Sequence, residues 1–475
     1  MTNQHTMFEQ IVDQIVEEIQ ALPMRRRLGE GDLPKLIASV TKLIRDSAGL
    51  HLTKAKNQEA SVHKGSGYYS SNRFNKTHTY RIHINRAFEG MIELGYLFVT
   101  KKGASDGSAG KFLTRYVATS KLTELFVGIS PETISTLLPT QGPDTETIRC
   151  QHKIYTGKLN KQKREITRKV LVDYTDNDES NRMRQNLVVI NKVLAKYWFD
   201  LDVTPAELEA VEEEIRKKSK ENDYNLHINF ANRSLHRTFN NIEFTHGGRF
   251  YGGWWELVPS KLRSRIVING KRTEEYDYSG LHPNMLYAME GKALPSDPYD
   301  GLIKDVLEDD AEEVRKVCKK AFNAMLNASK KMKAQPSGMR LSDYQTNWET
   351  LTATIMERHK PIAHYFYTGI GKELQRIDSD MAEEVMLFFA NEGVPVLPSH
   401  DSFTMHQGYQ EDLQKVMGEV FRDRFGQEIG IKLECKMPYL SGDSEPVSMS
   451  VEDILSGLEG DCHKRLEAFR EKANE

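Results

Sequence analysis

A chain of 475 residues with 28% charged and 39% hydrophobic side chains is too long for one core and implies about two to four domains. No apolar run reaches the roughly eighteen residues that a spanning helix needs, and no basic-then-apolar signal pattern opens the chain, so a soluble, cytoplasmic protein without a membrane partner is expected. Cys150, Cys318, Cys435 and Cys462 lie far apart with no Cys-x-x-Cys pair, which argues against a zinc site and a disulfide framework, while a net charge of −3 still leaves room for a local basic stripe.

Residues 1–130 read as a helical unit with a small sheet. Phe8, Ile11, Val12, Ile15, Val16 and Ile19 fall on one helical face, and a second helix is predicted from Leu33 to Ala48. Phe88, Met91, Ile92 and Leu94 predict a helix stopped at Gly95. Strands are then expected at Tyr96–Thr100 and Phe112–Val117, around a loop bearing Lys101, Lys102 and Lys111. Helix, strand, basic loop, strand is the order of a winged helix, and the Glu93-Leu94-Gly95-Tyr96-Leu97 run resembles winged helix-turn-helix DNA-binding domains. That resemblance implies a helix in a groove, with Arg81 and Arg86 near its start, and phosphate contacts from the wing lysines and Arg115. A winged helix used only for protein contacts is the alternative.

From 131 to 240 a linker at Pro139–Pro143 precedes a basic run of Lys153, Lys158, Lys161, Lys163, Arg164, Arg168 and Lys169. Polar helices are expected next, one through Leu187, Ile190, Val193 and Leu194 and one opened by Pro205. This arm either grips a duplex through its phosphates or is a solvated helical hairpin.

The densest chemistry follows. Asn269-Gly270 predicts a tight hairpin turn, and its second strand reaches Asp277 just before Leu281, Met285 and Met289 recur at helical spacing. Asp277 therefore stands where a strand hands over to a helix, either as a metal-holding carboxylate or as a cap for that helix. Glu312–Ala328 reads as a helix whose polar face offers Lys316, Lys319, Lys320, Asn323 and Asn327, with Arg315 at its flank. No acidic residue occurs between Arg315 and Lys333, so that face expects an anion. Around His400-Asp401 apolar residues fall on both sides, predicting a hairpin with Asp401 at its tip.

Two separated carboxylates and a cationic helix are the parts that phosphoryl transfer from a nucleoside triphosphate to an attacking hydroxyl needs. Asp277-Tyr278-Ser279 resembles the first palm motif of A-family DNA polymerases, and Ser399-His400-Asp401-Ser402-Phe403 is similar to the third motif of phage-type single-subunit RNA polymerases. Gly248-Arg249-Phe250-Tyr251 also resembles a motif of those RNA polymerases that precedes the palm. The run from Asp277 to Leu286 is close to the first motif of B-family polymerases as well, and Lys319 with Asn323 is similar to their fingers spacing. Eight residues after Lys319, where the A-family and RNA-polymerase motifs place Tyr-Gly, this chain has Asn327-Ala328.

The resemblance implies an α+β fold: a right-hand polymerase palm and fingers over 241–445, a thumb-like helical arm over 131–240, an N-terminal winged-helix-like domain, and a C-terminal helical tail over 446–475. It implies that Asp277 and Asp401 hold Mg2+, that Arg315 with Lys319 or Lys320 binds a nucleoside triphosphate, and that Arg249 touches a DNA template or its primer. His282, five residues after Asp277, falls where those DNA polymerases set a bulky side chain against the ribose 2′ position. DNA and RNA products both remain open. The rival readings are a non-catalytic DNA-binding replication initiator or regulator and a two-metal nuclease.

Overall fold

A computed structural model describes residues 3–23, 29–52, 59–62, 73–74, 81–103, 114–127, 146–159, 165–219, 228–295, 297–303, 310–436 and 461–473. The Pro139–Pro143 linker, Lys111, Lys161, Lys163 and Arg164 lie outside them. The chain divides into two compact units, one of residues 1–236, 251–274 and 435–475, the other of 237–250 and 275–434. Residues 251–274 of the segment read as palm and fingers thus group with the N-terminal part of the chain.

In the first unit, helices Asn3–Ala21, Leu33–Leu52 and Arg81–Glu93 cover an antiparallel sheet with Thr114–Ala118 in the centre, flanked by Ala60–Val62 and Leu97–Lys101. Ile15, Ile19, Leu36, Val40, Ile84, Phe88, Tyr96 and Tyr116 form its core. The apolar periodicity fixes these helices, and burying that face supplies the stabilisation a lone helix lacks. Gly95, at φ 79°, ends the third helix while Tyr96 N–H returns to Met91 O at 2.8 Å. Lys101 and Lys102 are exposed. Arg115 pairs with Glu59 at 3.3 Å, and Arg86 is half-buried, so the cations of this unit are not all turned to solvent.

Of the basic run beyond 150, Lys153, Lys158, Arg168 and Lys169 lie on two antiparallel strands, Ile148–Leu159 and Glu165–Val172, and not in a helical arm. Their lysines obscured an alternation rich in Ile, Val, Thr and Tyr, which suits a pleated ribbon better than a helix. The two helices expected after it are present as Asp178–Leu194, capped by Asn177, and Pro205–Ser219. The C-terminal helix Asp461–Ala473 docks in this unit through Arg465, whose Nε and Nη2 donate to buried Asp200 at 2.8 and 2.6 Å, while Phe469 stacks on Trp198.

In the second unit, helices Leu281–Met289, Ala311–Asn327, Trp348–Arg358, Gly371–Asn391 and Gln410–Phe425 accompany the second half of strand Lys271–Tyr278 and the hairpin Leu397–Ser399, Ser402–His406. Met285, Leu286, Phe322, Met325, Met381, Val385, Phe403, Met417 and Phe421 are buried. The strand Ile431–Lys436 pairs with Lys271–Tyr278, so Lys432 approaches the Asp277 end of it.

Candidate active site

The strand that carries Asp277 begins at the expected turn: Asn269 and Gly270 hold φ of 50° and 75°, and Lys271 pairs with Ile268. It ends at Tyr278, and Gly280 at φ 59° precedes the helix Leu281–Met289. Asn284 Nδ2 donates to Ser279 O at 2.8 Å and to Gly280 O at 3.1 Å, and Ser279 N–H donates to Gly430 O at 2.8 Å, so the strand-to-helix corner is tied on both sides.

Asp277 is 15% exposed at its side chain. Its Oδ1 is buried without a hydrogen-bond partner, and its Oδ2 lies 3.9 Å from Lys432 Nζ. Burial first, then the charge of Asp401, raises its pKa to about 8. Glu434 adds to the rise, and Lys432 and Lys319 oppose it. Asp401 sits in the two-residue turn that joins Ser399 to Ser402, beside His400 at φ 63°. The two candidate carboxylates therefore act on one another within one unit. Burial raises the phenol of Tyr299, Arg315 opposes that shift, and Asp297, Asp401 and Asp277 add to it, which places Tyr299 in the field of the pair.

The helix Ala311–Asn327 buries Val314, Cys318, Ala321, Phe322, Met325 and Leu326 and leaves Lys316, Lys319 and Lys320 exposed. Its lysines are not equivalent. Lys316 pairs with Glu312 at 2.9 Å, the i,i+4 arrangement that the acid-free run from Arg315 onward concealed, and Lys320 donates to Ser337 O at 3.2 Å. Lys319 is the one whose charge is felt at Asp277. Arg315 is engaged by Asp297, its Nη2 and Nε lying 2.6 and 2.9 Å from Oδ2, and its guanidinium lies over Tyr299. Asn323 is half-buried, and its carbonyl accepts from Asn327 Nδ2 at 2.8 Å.

Arg249 and His282 converge on a residue absent from the sequence reading. Arg249 donates to Asp378 through Nη2 at 2.5 Å and Nε at 3.2 Å, and His282 Nε2 lies 2.9 Å from the same carboxylate. Asp378 has no exposed side-chain surface. Burial alone would raise its pKa, but the His282 hydrogen bond and the Arg249 charge hold it below the usual carboxylate range. A sequence signal existed: Asp378 lies four residues after Leu374 and three before Met381, inside the buried stripe of helix Gly371–Asn391. Lys432 and Glu434 gave no such signal, because an alternating polar strand end looks like ordinary surface.

Among the described residues no group of three or more His, Cys, Asp or Glu side chains forms a metal cluster. Mg2+ needs less from the protein, since it keeps waters and is commonly bound by one or two carboxylates together with substrate phosphates. The unpartnered buried Oδ1 of Asp277, and the repulsion from Asp401 that a cation would relieve, fit a hard divalent ion. Also among the described residues, no helix is long and apolar enough to cross a membrane.

No protein-family model matches this sequence, and no curated protein matches it. Among solved structures it is similar, at 12% identity and a TM-score of 0.30, to the POL domain of Pol1 from M. smegmatis in complex with DNA primer-template and dNTP; the match covers 48% of this chain and spans half, 50%, of that one.

Proposed function

We propose that the chain is a template-directed nucleic-acid polymerase, a nucleotidyltransferase that takes nucleoside triphosphates on a DNA template. The observation that carries this reading is the acid pair: a strand-end Asp277 with an unpartnered buried oxygen, its pKa raised by burial and by Asp401 and lowered by the charges of Lys432 and Lys319. Asp277 and Asp401 would hold Mg2+, which when bound lowers the pKa of an attacking hydroxyl and neutralises charge on the leaving oxygens.

The remaining roles belong to the chain itself. Lys319 and Lys432 bring cationic charge to the acids and suit phosphate oxygens, with Lys320 and Asn323 on the same helix. Arg315 can join them by exchanging Asp297 for a phosphate, since the pair is partly exposed and such pairs hold weakly. His282, anchored through Nε2, keeps Nδ1 for a ligand such as a ribose hydroxyl. Arg249 shares the anchor and is read as a template or primer contact. The N-terminal unit, read as a winged helix, would hold DNA through Lys101, Lys102 and Lys111.

A labelled primer on a DNA template, incubated with Mg2+ and either set of triphosphates, tests the proposal. Lengthening supports it. Shortening of the primer would assign a nuclease, and binding without either change would assign a non-catalytic replication initiator or regulator.

A further inference from the structure

Strand Lys271–Tyr278 presents two carboxylates on one face, because residues two apart in a strand share a side. They are partnered differently. Asp277 Oδ1 has no hydrogen-bond partner, whereas Glu275 Oε1 accepts a hydrogen bond from Ser402 Oγ at 2.5 Å. Ser402 is the residue after Asp401, and its Oγ lies 3.1 Å from Ser399 O, the other closing residue of the turn. Glu275 is 1% exposed and Ser402 5%, so water does not compete for this bond. Between Ser399 and Ser402 stand only His400 and Asp401, with His400 at φ 63°. A positive φ costs a residue with a side chain free energy, and such a conformation persists where surrounding contacts hold it.

We propose that Glu275 and Ser402 are positioning residues that clamp the Asp401 turn to the strand bearing Asp277, and so set the spacing of the two carboxylates for a divalent ion. The inference rests on the reading of Asp277 and Asp401 as the ion's holders. The clamp acts through a hydrogen bond to a carboxyl oxygen. An amide oxygen at position 275 can accept that bond too, whereas a direct metal ligand at 275 would not survive loss of its charge.

The test is a Mn2+ titration of the full chain followed by electron paramagnetic resonance, with unfolding midpoints measured on the same samples. Ser402→Ala should weaken Mn2+ binding about tenfold, whereas Ser402→Thr, which keeps the hydroxyl, and Glu275→Gln, which keeps the acceptor, should stay within about threefold of the parent. Asp277→Asn should lose the bound ion. If Asp277→Asn loses the ion while Ser402→Ala binds as the parent does, the clamp is overturned and the metal reading stands. Should Asp277→Asn bind as the parent does, the metal reading fails first. Loss in Glu275→Gln as complete as in Asp277→Asn would make Glu275 a ligand and overturn its positioning role. If Ser402→Ala does not fold, a tenfold loss in Ser402→Thr with an unchanged midpoint overturns the clamp.

Discussion

His282 Nε2 lies 2.9 Å from Oδ2 of Asp378, a carboxylate that is wholly buried and also receives Arg249. The helices of His282 and Asp378 and the strand of Arg249 are thereby joined at one anion. A buried charge that loses its counterion is expensive, so this junction holds the fold together.

Asp378→Asn is therefore expected to cost about 3 to 5 kcal/mol of stability at neutral pH, because it removes the fully buried charge on which Arg249 and His282 both converge. The pH dependence has a defined sign. The folded-state pKa of Asp378 is lowered, so its stabilising contribution is present above the unfolded value of roughly 4 and is lost as pH falls through the folded value. Denaturant titrations should show the gap between parent and variant closing in acid. A variant as stable as the parent at neutral pH would remove Asp378 from this role.

Asp277 titrates the other way. Its folded pKa is raised to about 8, so its contribution is fully present below the unfolded value of roughly 4 and is lost as pH rises through about 8. Calorimetry should find Asp277→Asn gaining on the parent over that window and more stable than it above pH 8. Mg2+ should raise the parent's melting temperature more at pH 8 than at pH 6, because the ion binds the deprotonated carboxylate. Equal Mg2+ shifts at both pH values would argue against Asp277 as a holder.

How much of this was legible depended on how local the signal was. The Asn269-Gly270 turn and the His400-Asp401 tip could be read directly, since two positive-φ residues, or apolar runs on both sides, leave few alternatives. The strands Ile148–Leu159 and Glu165–Val172 were hidden because a high lysine density masks their alternation. The burial of Asp378 could be read from its place in the apolar stripe of its helix, but its partners stand 129 and 96 residues away in the chain, so the ion pair itself had no local signal. Lys319 and Lys320 could not be separated by spacing, because both lie on the exposed face and only their neighbours distinguish them.

The sugar offers a third test. His282→Ala should change the ratio of ribonucleotide to deoxyribonucleotide incorporation by at least about tenfold, or about 1.4 kcal/mol in the transition state. Competition between the two triphosphates on one primed template measures it. An unaltered ratio would confine His282 to its bond with Asp378.

For the N-terminal unit the readout is salt. Replacing Lys101, Lys102 and Lys111 by Ala should weaken DNA binding and flatten its salt dependence by about 0.9 in log–log slope per lost phosphate contact. Fluorescence anisotropy across salt concentrations gives the slope, and an unchanged one would favour a protein-contact role.

Primer extension by Asp277→Asn and Asp401→Asn, each beside the parent chain and each checked for folding and duplex binding, bears most directly on the acid pair. If the two carboxylates hold the ions of phosphoryl transfer, each substitution abolishes nucleotide incorporation while the protein stays folded and still binds the primed duplex. Incorporation at the parent rate by either variant would contradict the account.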